Sequence, residues 1–223
     1  MSSKERYEEI AAELAQVCRD AGRDPSEVTI VAVSKTVGPA EVADALAGGA
    51  CDFGENRPDQ LMEKADRFTG ARWHFIGNIQ SRRIRDIVGR AELVHSVFQE
   101  RHARKIDEVA REKNLVQDIL IEVNVSGEAS KSGLNPADVR FLLEVCEGLP
   151  NVCVRGLMTM APRGEASVAR ATFAGLAQLQ RELQHDFPGL VELSMGMTED
   201  WREAVREGAT LVRIGRAIFS DAL

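Results

Sequence analysis

Aromatic residues are scarce in this chain, with two tryptophans, eight phenylalanines and one tyrosine among 223 residues. Tyr7, the lone tyrosine, stands in the first helical stretch, so a phenolic acid or base at a distant site has no other candidate. Cysteine is sparse too: Cys18, Cys51, Cys146 and Cys153 show no C-x-x-C spacing, and free thiols are expected instead of a disulfide framework. The four histidines, His74, His95, His102 and His185, lack metal-ligand spacing, so no metal is expected. His102 and His185 read as surface residues and His95 as structural. No apolar run approaches the length of a membrane span, and the N-terminal residues Met1 to Glu9 are charged and lack an apolar signal core. A soluble, cytoplasmic protein with no membrane partner is expected. Excess positive charge is missing as well. Lys and Arg number 28 against 35 Asp and Glu, and a net charge of -7 argues against a nucleic-acid partner, which would need a basic field to displace counterions. The basic clusters at Arg82 to Arg85 and Arg101 to Lys105 fall on predicted helices and read as solvated faces.

What is present is a regular alternation. The run Val28 to Lys35, V-T-I-V-A-V-S-K, carries apolar residues on both alternating faces, as a parallel strand covered on both sides does, and it ends in a lysine. That lysine reads either as a solvated strand end or as an amine made nucleophilic by its surroundings. A helix over 4–21 with Gly22 as its C-terminal cap precedes this strand, and Pro39 opens the helix that follows. Further strands are predicted at Asp52 to Glu55, Trp73 to Ile76, Leu93 to Val97, Asp118 to Val125, Val152 to Met158, Val191 to Ser194 and Ala209 to Ile214. A helix or helical turn follows each. Asn56 reads as the cap of the helix that runs to about Phe68, and Asn135-Pro136-Ala137-Asp138 as a cap, first-turn proline and acidic first turn.

Eight such units predict an α/β fold of the (β/α)8 TIM-barrel type with an extra N-terminal helix. An open doubly wound sheet is the alternative, since periodicity does not report closure. At 223 residues a single domain over 1–223 is expected. On the barrel reading Lys35, Asn56, His74, Asn124, Met160, Ser194, Gly196, Arg213 and Gly215 collect at the strands' C-terminal ends, where barrels bind their ligands. The loops after the seventh and eighth strands are frequent phosphate sites. Gly196 and Gly215 leave backbone N-H groups open to an oxyanion, and Ser194 and Thr198 add hydroxyls. Glycines that merely turn the chain are the competing explanation. A lysine facing a phosphate cradle suits an aldehyde with a phosphate handle, which describes pyridoxal 5'-phosphate.

The chain resembles the pyridoxal phosphate homeostasis protein family, related to the N-terminal domain of alanine racemase, along nearly its whole length. The matching runs are A-V-S-K-T at 32–36, F-G-E-N at 53–56, W-H-F-I-G at 73–77, S-G-E-A-S-K-S-G at 126–133, R-G-L-M-T-M at 155–160, L-S-M-G-M at 193–197 and V-R-I-G at 212–215. The resemblance implies that Lys35 carries the cofactor as a Schiff base. It puts the phosphate at Ser194, Gly196 and Gly215, and Arg213 at the ring nitrogen or phosphate. Asn56, His74 and Met160 are implied to line the pocket. Three places depart from the family pattern: Arg57-Pro58-Asp59-Gln60, Arg82-Arg83 and Phe98. They bear on the rim and leave the lysine and phosphate elements in place.

The loop Ser126 to Gly133 fails the Walker pattern, because Lys131 precedes the second glycine, and it reads as a closing or solvated loop. Ser194 lies in no complete G-x-S-x-G elbow. A racemase on this barrel would normally use a tyrosine as second base through a second domain, and neither is evident here. The expected function is therefore a non-catalytic protein that stores, buffers or delivers pyridoxal phosphate. Apo-enzymes that use the cofactor are the expected recipients, and a monomer is the default. The alternatives are a weak racemase or lyase with water or Lys131 as second base, and a Schiff-base aldolase whose phosphate site holds substrate.

Overall fold

Branched aliphatic residues make the first, fourth and fifth of the short strands of this chain, and their two apolar faces have to be covered separately, one by the barrel interior and one by helices. The computed structural model describes residues 1–128 and 131–220. Its strands are β1 (Thr29–Val33), β2 (Asp52–Glu55), β3 (Arg72–Phe75), β4 (Leu93–Val97), β5 (Gln117–Glu122), β6 (Val152–Met158), β7 (Glu192–Met197) and β8 (Leu211–Ile214). Each pairs in parallel with the next, and β8 returns to β1, so the sheet is a closed barrel and not the open alternative. Leu93, Leu120, Met158, Leu211 and Val31 form a small apolar plug inside. The larger core lies between the strands' outer faces and the helices, with Phe53, Phe75, Phe173 and Trp201 fully buried.

The helices are α1 (Ser3–Asp20), α2 (Pro39–Ala47), α3 (Pro58–Arg67), α4 (Ile84–Ile87), α5 (Glu100–Glu112), α6 (Val139–Glu147), α7 (Ala166–Gln184), α8 (Trp201–Arg206) and α9 (Arg216–Phe219). α1 is the extra N-terminal helix. Its Ser2 and Glu5 form a capping box, and it packs on α2, α8 and α9 across the seam where the barrel closes.

Several expectations shift in ways that matter at the mouth. Asn56 does not cap α3: Pro58 at the first helical position leaves Arg57 in the cap place, so Asn56 stays in the loop. β5 stops at Glu122, because Val123 turns aside to bridge Leu134 and the Asn124 N-H donates to the Leu134 carbonyl at 2.8 Å. β7 runs three residues beyond Ser194 through a shift in its register with β8. His102 is not a surface residue: it is buried on α5, edge-on to Phe98 with ring centroids 6.4 Å apart, and burial followed by the Arg101 charge lowers its pKa. Ala129 and Ser130 of the S-G-E-A-S-K-S-G run lie outside the described residues.

Candidate functional site

Parallel strands in a closed barrel all end on one side, and the segments at and after the ends of β1, β2, β3, β6, β7 and β8 form a cavity of about 420 Å³. β1 delivers Lys35, two residues past its end, as an exposed side chain on the wall. The backbone beneath Lys35 is clamped from below. Ser34 Oγ donates to Glu55 Oε1 at 2.6 Å, and Lys64 Nζ donates to the same oxygen at 2.5 Å and to the Ser34 carbonyl at 2.7 Å, all out of contact with water. Gln60, with its amide turned to satisfy both ends, donates to the Lys35 carbonyl at 3.2 Å and to Glu55 Oε2 at 3.1 Å. Lys64 was not singled out from the sequence. Its place three residues after Leu61, on the inner face of α3, is the available signal.

Two of the three departures noted in the sequence, at 57–60 and 82–83, meet one another, while Phe98 packs against His102. Asp59 accepts from Arg83 at 2.5 Å, and Arg83 also reaches Asp86, which raises the Arg83 pKa through its hydrogen bonds. The changes at 57–60 and 82–83 are thus joined by one ion pair. Gln60 meanwhile buttresses the lysine.

Arg213 lines the cavity from β8 and is buried. Its Nη1 donates to Ser194 Oγ at 2.6 Å and its Nη2 to the Thr159 carbonyl at 3.0 Å. Burial pulls its pKa down to about 10 against the charges of Asp200 and Glu122. Burial also raises the pKa of both carboxyl groups, and Arg213 forms no ion pair among the described residues. Glu122 keeps one oxygen on the Ser132 hydroxyl, while the other has no partner. The cavity floor therefore holds a cation whose counter-charges are weak and indirect.

Asn56, Met160 and Gly215 line this cavity together with Lys35 and Arg213. His74, Ser194 and Gly196 do not. Ser194 is wholly buried inside the barrel, where its hydroxyl is used by Arg213 and His95. Gly196 sits at φ +90°, and a Cβ there would stand 2.6 Å from the Ala204 Cβ, so its glycine serves the packing of α8 under β7. His74 lies deeper in the barrel, between His95 and Asp52. The wall after β7 is made instead by Met197, Thr198, Glu199 and Asp200, and after β8 by Gly215 and Arg216. A Cβ on Gly215 would lie 3.2 Å from the Val33 carbonyl oxygen, so a larger residue would crowd the strand that carries Lys35. Lys131 reaches across the rim and donates to the Ala161 carbonyl at 2.7 Å. Among the described residues no group of three or more His, Cys, Asp or Glu is placed to hold a metal ion, and no helix is long and apolar enough to cross a membrane.

The alanine racemase N-terminal domain matches residues 7–222 of the chain. A pyridoxal phosphate homeostasis protein of Pseudomonas aeruginosa is 41% identical over 218 residues, covering 96% of this chain and 94% of that protein. One of Aquifex aeolicus is 37% identical over 225 residues and covers 99% of each. Among solved structures, PipY of Synechococcus elongatus with PLP bound is 34% identical, has a TM-score of 0.82, and covers 93% of this chain and 100% of that one. Identity of this order over almost the full length, on the same closed barrel, makes the chain a member of the alanine racemase N-terminal domain family, among the pyridoxal phosphate homeostasis proteins.

Proposed function

We propose that this chain, as one domain over 1–223, binds pyridoxal 5'-phosphate through Lys35 and serves to hold and release the cofactor in place of turning over amino acids. The observation that carries the reading is that the Lys35 amine and the buried Arg213 guanidinium share one cavity of about 420 Å³, a size suited to a small cofactor. The residues fit the group. Lys35 would supply the amine that holds the aldehyde covalently. Arg213 offers a donor to the ring nitrogen or phosphate, and the backbone at Gly215 with the Thr198 hydroxyl offers neutral donors to an oxyanion. Asn56 and Met160 line the remaining wall. When bound, the cofactor supplies an electron sink, which an arginine at the ring nitrogen weakens by disfavouring a proton there.

The same geometry argues against efficient catalysis. Tyr7 lies at the opposite end of the barrel, in a second cavity that it shares with Cys51 and Asp52, and burial followed by their charges pushes its pKa up to about 12. Lys131 is engaged as a donor to the Ala161 carbonyl, which leaves it poorly suited to act as a base. A missing acid or base costs a factor of about 10² to 10⁴. Apo-enzymes that need the cofactor are the natural recipients.

Borohydride reduction of the loaded protein, followed by peptide mapping, tests the reading. The pyridoxyl group should be found on Lys35 and be absent in Lys35→Ala. Its recovery chiefly on Lys131, or on no lysine, overturns the assignment. Loaded protein should also activate an apo-enzyme while showing no racemase, transaminase or decarboxylase turnover, with free cofactor at matched concentration as control. Stereospecific turnover lost in Lys35→Ala would make the protein an enzyme.

A further inference from the structure

A line of hydrogen-bonding groups runs through the barrel from the cavity floor to the opposite end. Arg213 Nη1 meets Ser194 Oγ at 2.6 Å, Ser194 Oγ meets His95 Nδ1 at 2.8 Å, His95 Nε2 meets His74 Nδ1 at 2.9 Å, and His74 Nε2 meets Asp52 Oδ1 at 3.0 Å. Arg72 closes the far end with paired bonds to Asp52 at 2.7 and 2.6 Å. The groups come from β8, β7, β4, β3 and β2, and all but Arg72 are buried. The assigned role of the cavity explains Arg213 and leaves the rest of this line without a purpose. An apolar plug would fill the interior at lower desolvation cost, as Leu93, Leu120 and Leu211 do beside it.

We propose that Asp52, His74, His95 and Ser194 form a one-way relay that positions Arg213: with both imidazoles protonated on Nε2 only, Ser194 Oγ turns a lone pair to the guanidinium and holds it at the cavity floor.

The polarity follows from the far end. Burial pushes the Asp52 carboxyl up, but the hydrogen bonds from His74 and Arg72 outweigh it, so its pKa is lowered and it is a pure acceptor. His74 Nε2 must then carry a proton. Burial, the largest cause, holds His95 well below the ordinary imidazole range, so it has one proton to place. Ser194 Oγ accepts from Arg213 Nη1, and its own proton has His95 Nδ1 as acceptor, so His95 carries its proton on Nε2 and His74 Nδ1 is the bare nitrogen that accepts it. A second proton on His74 would reverse this order. His95 Nδ1-H and Arg213 would then both donate to Ser194 Oγ, and the hydroxyl proton would find no acceptor among the described residues. The other titratable groups that face the line are Glu122 and Asp200 beside Arg213, and Tyr7 with Cys51 beside Asp52.

The effect on ligand rests on reading the cavity as the pyridoxal phosphate site, whereas the tautomers do not, so the experiment has two independent arms. In ¹⁵N-histidine NMR of the ligand-free protein, His74 and His95 should both show a protonated Nε2 and a bare Nδ1. A proton on His95 Nδ1 overturns the relay. Asp52→Asn removes the obligatory acceptor, so His95 should become a mixture of tautomers, and an unchanged His95 would deny Asp52 its anchoring role. In the second arm, pyridoxal 5'-phosphate affinity should fall about tenfold in His95→Leu, the scale of one hydrogen bond to a charged group. His95→Gln should restore it, since its carbonyl can accept from Ser194 while its amide donates to His74. In an Arg213→Met background, His95→Leu should cost nothing further. Equal losses in both backgrounds would make His95 a packing residue and sink the proposal. Wild-type protein that binds no pyridoxal phosphate would refute the cofactor reading and leave the relay to the NMR arm, which also decides if His95→Leu does not fold.

Discussion

The backbone that leads into Lys35 is held by another lysine. Lys64 Nζ and Glu55 Oε1 are 2.5 Å apart, with side chains 3% and 0% exposed, directly beneath the backbone of Ser34 and Lys35. Replacing one partner of such a pair strands the other charge in the core, at a cost of about 3–5 kcal/mol. Lys64→Met should therefore lower the urea-unfolding free energy by that amount, and Glu55→Gln in the same chain should recover most of it, because the amide still accepts from Ser34. A double variant as unstable as the single one would show that Lys64 acts through its volume alone. The two departures on the rim behave differently: Asp59 and Arg83 form an exposed pair, 76% and 28% exposed, which is tied to rim geometry more than to stability.

Elements in this barrel meet at backbone distance where glycine permits it. Gly156 in β6 is the extreme case, since a Cβ there would stand 1.9 Å from the Glu192 carbonyl oxygen, at the pairing of β6 with β7. Gly156→Ala should force these strands apart and cost about 3 kcal/mol, at the upper end for overpacking. Gly70→Ala is the matched control: nothing lies within 4 Å of its would-be Cβ, so its melting temperature should stay near that of the wild type. A small effect at Gly156 would mean that β7 yields freely, and the loop from Met197 to Asp200 with it. The irregular register between β7 and β8 has a visible use here, because it lets Ser194 face the interior while Met197 and Thr198 reach the cavity wall.

At the scale of the whole molecule, closure pairs every described strand on both sides and brings the ends of β1, β2, β3, β6, β7 and β8 to one cavity, so ligand binding and global stability are linked. Pyridoxal phosphate at one hundred times its dissociation constant should add about 2.7 kcal/mol, which raises the melting temperature of a chain of this size by about 5–10 °C. Scanning calorimetry should show one transition that moves with ligand, and Lys35→Ala should reduce the shift. No shift at saturating ligand would contradict a site formed only by the folded barrel.

Much of this architecture is legible along the chain. β2, β4 and β6 span the residues expected of them, Pro39 opens α2, and Asn135 caps its turn by accepting from the Ala137 N-H. Those features are local: alternation, caps and prolines report the backbone of a few residues at a time. Lys35, Asn56, Met160 and Gly215 reach the cavity because they follow strand ends, which the same periodicity marks, and Arg213 because it is near the end of β8. What only the tertiary structure decided is who meets whom across the barrel. Ser194 bonds Arg213 and His95, Gly196 lies against α8, Lys64 bonds the Ser34 carbonyl next to Lys35, His102 is buried, and His74 stands between Asp52 and His95. Spacing in one strand cannot reveal these partners, because they depend on the register of each strand against its neighbours, on closure of the barrel, and on which polar groups remain unsatisfied once it has closed.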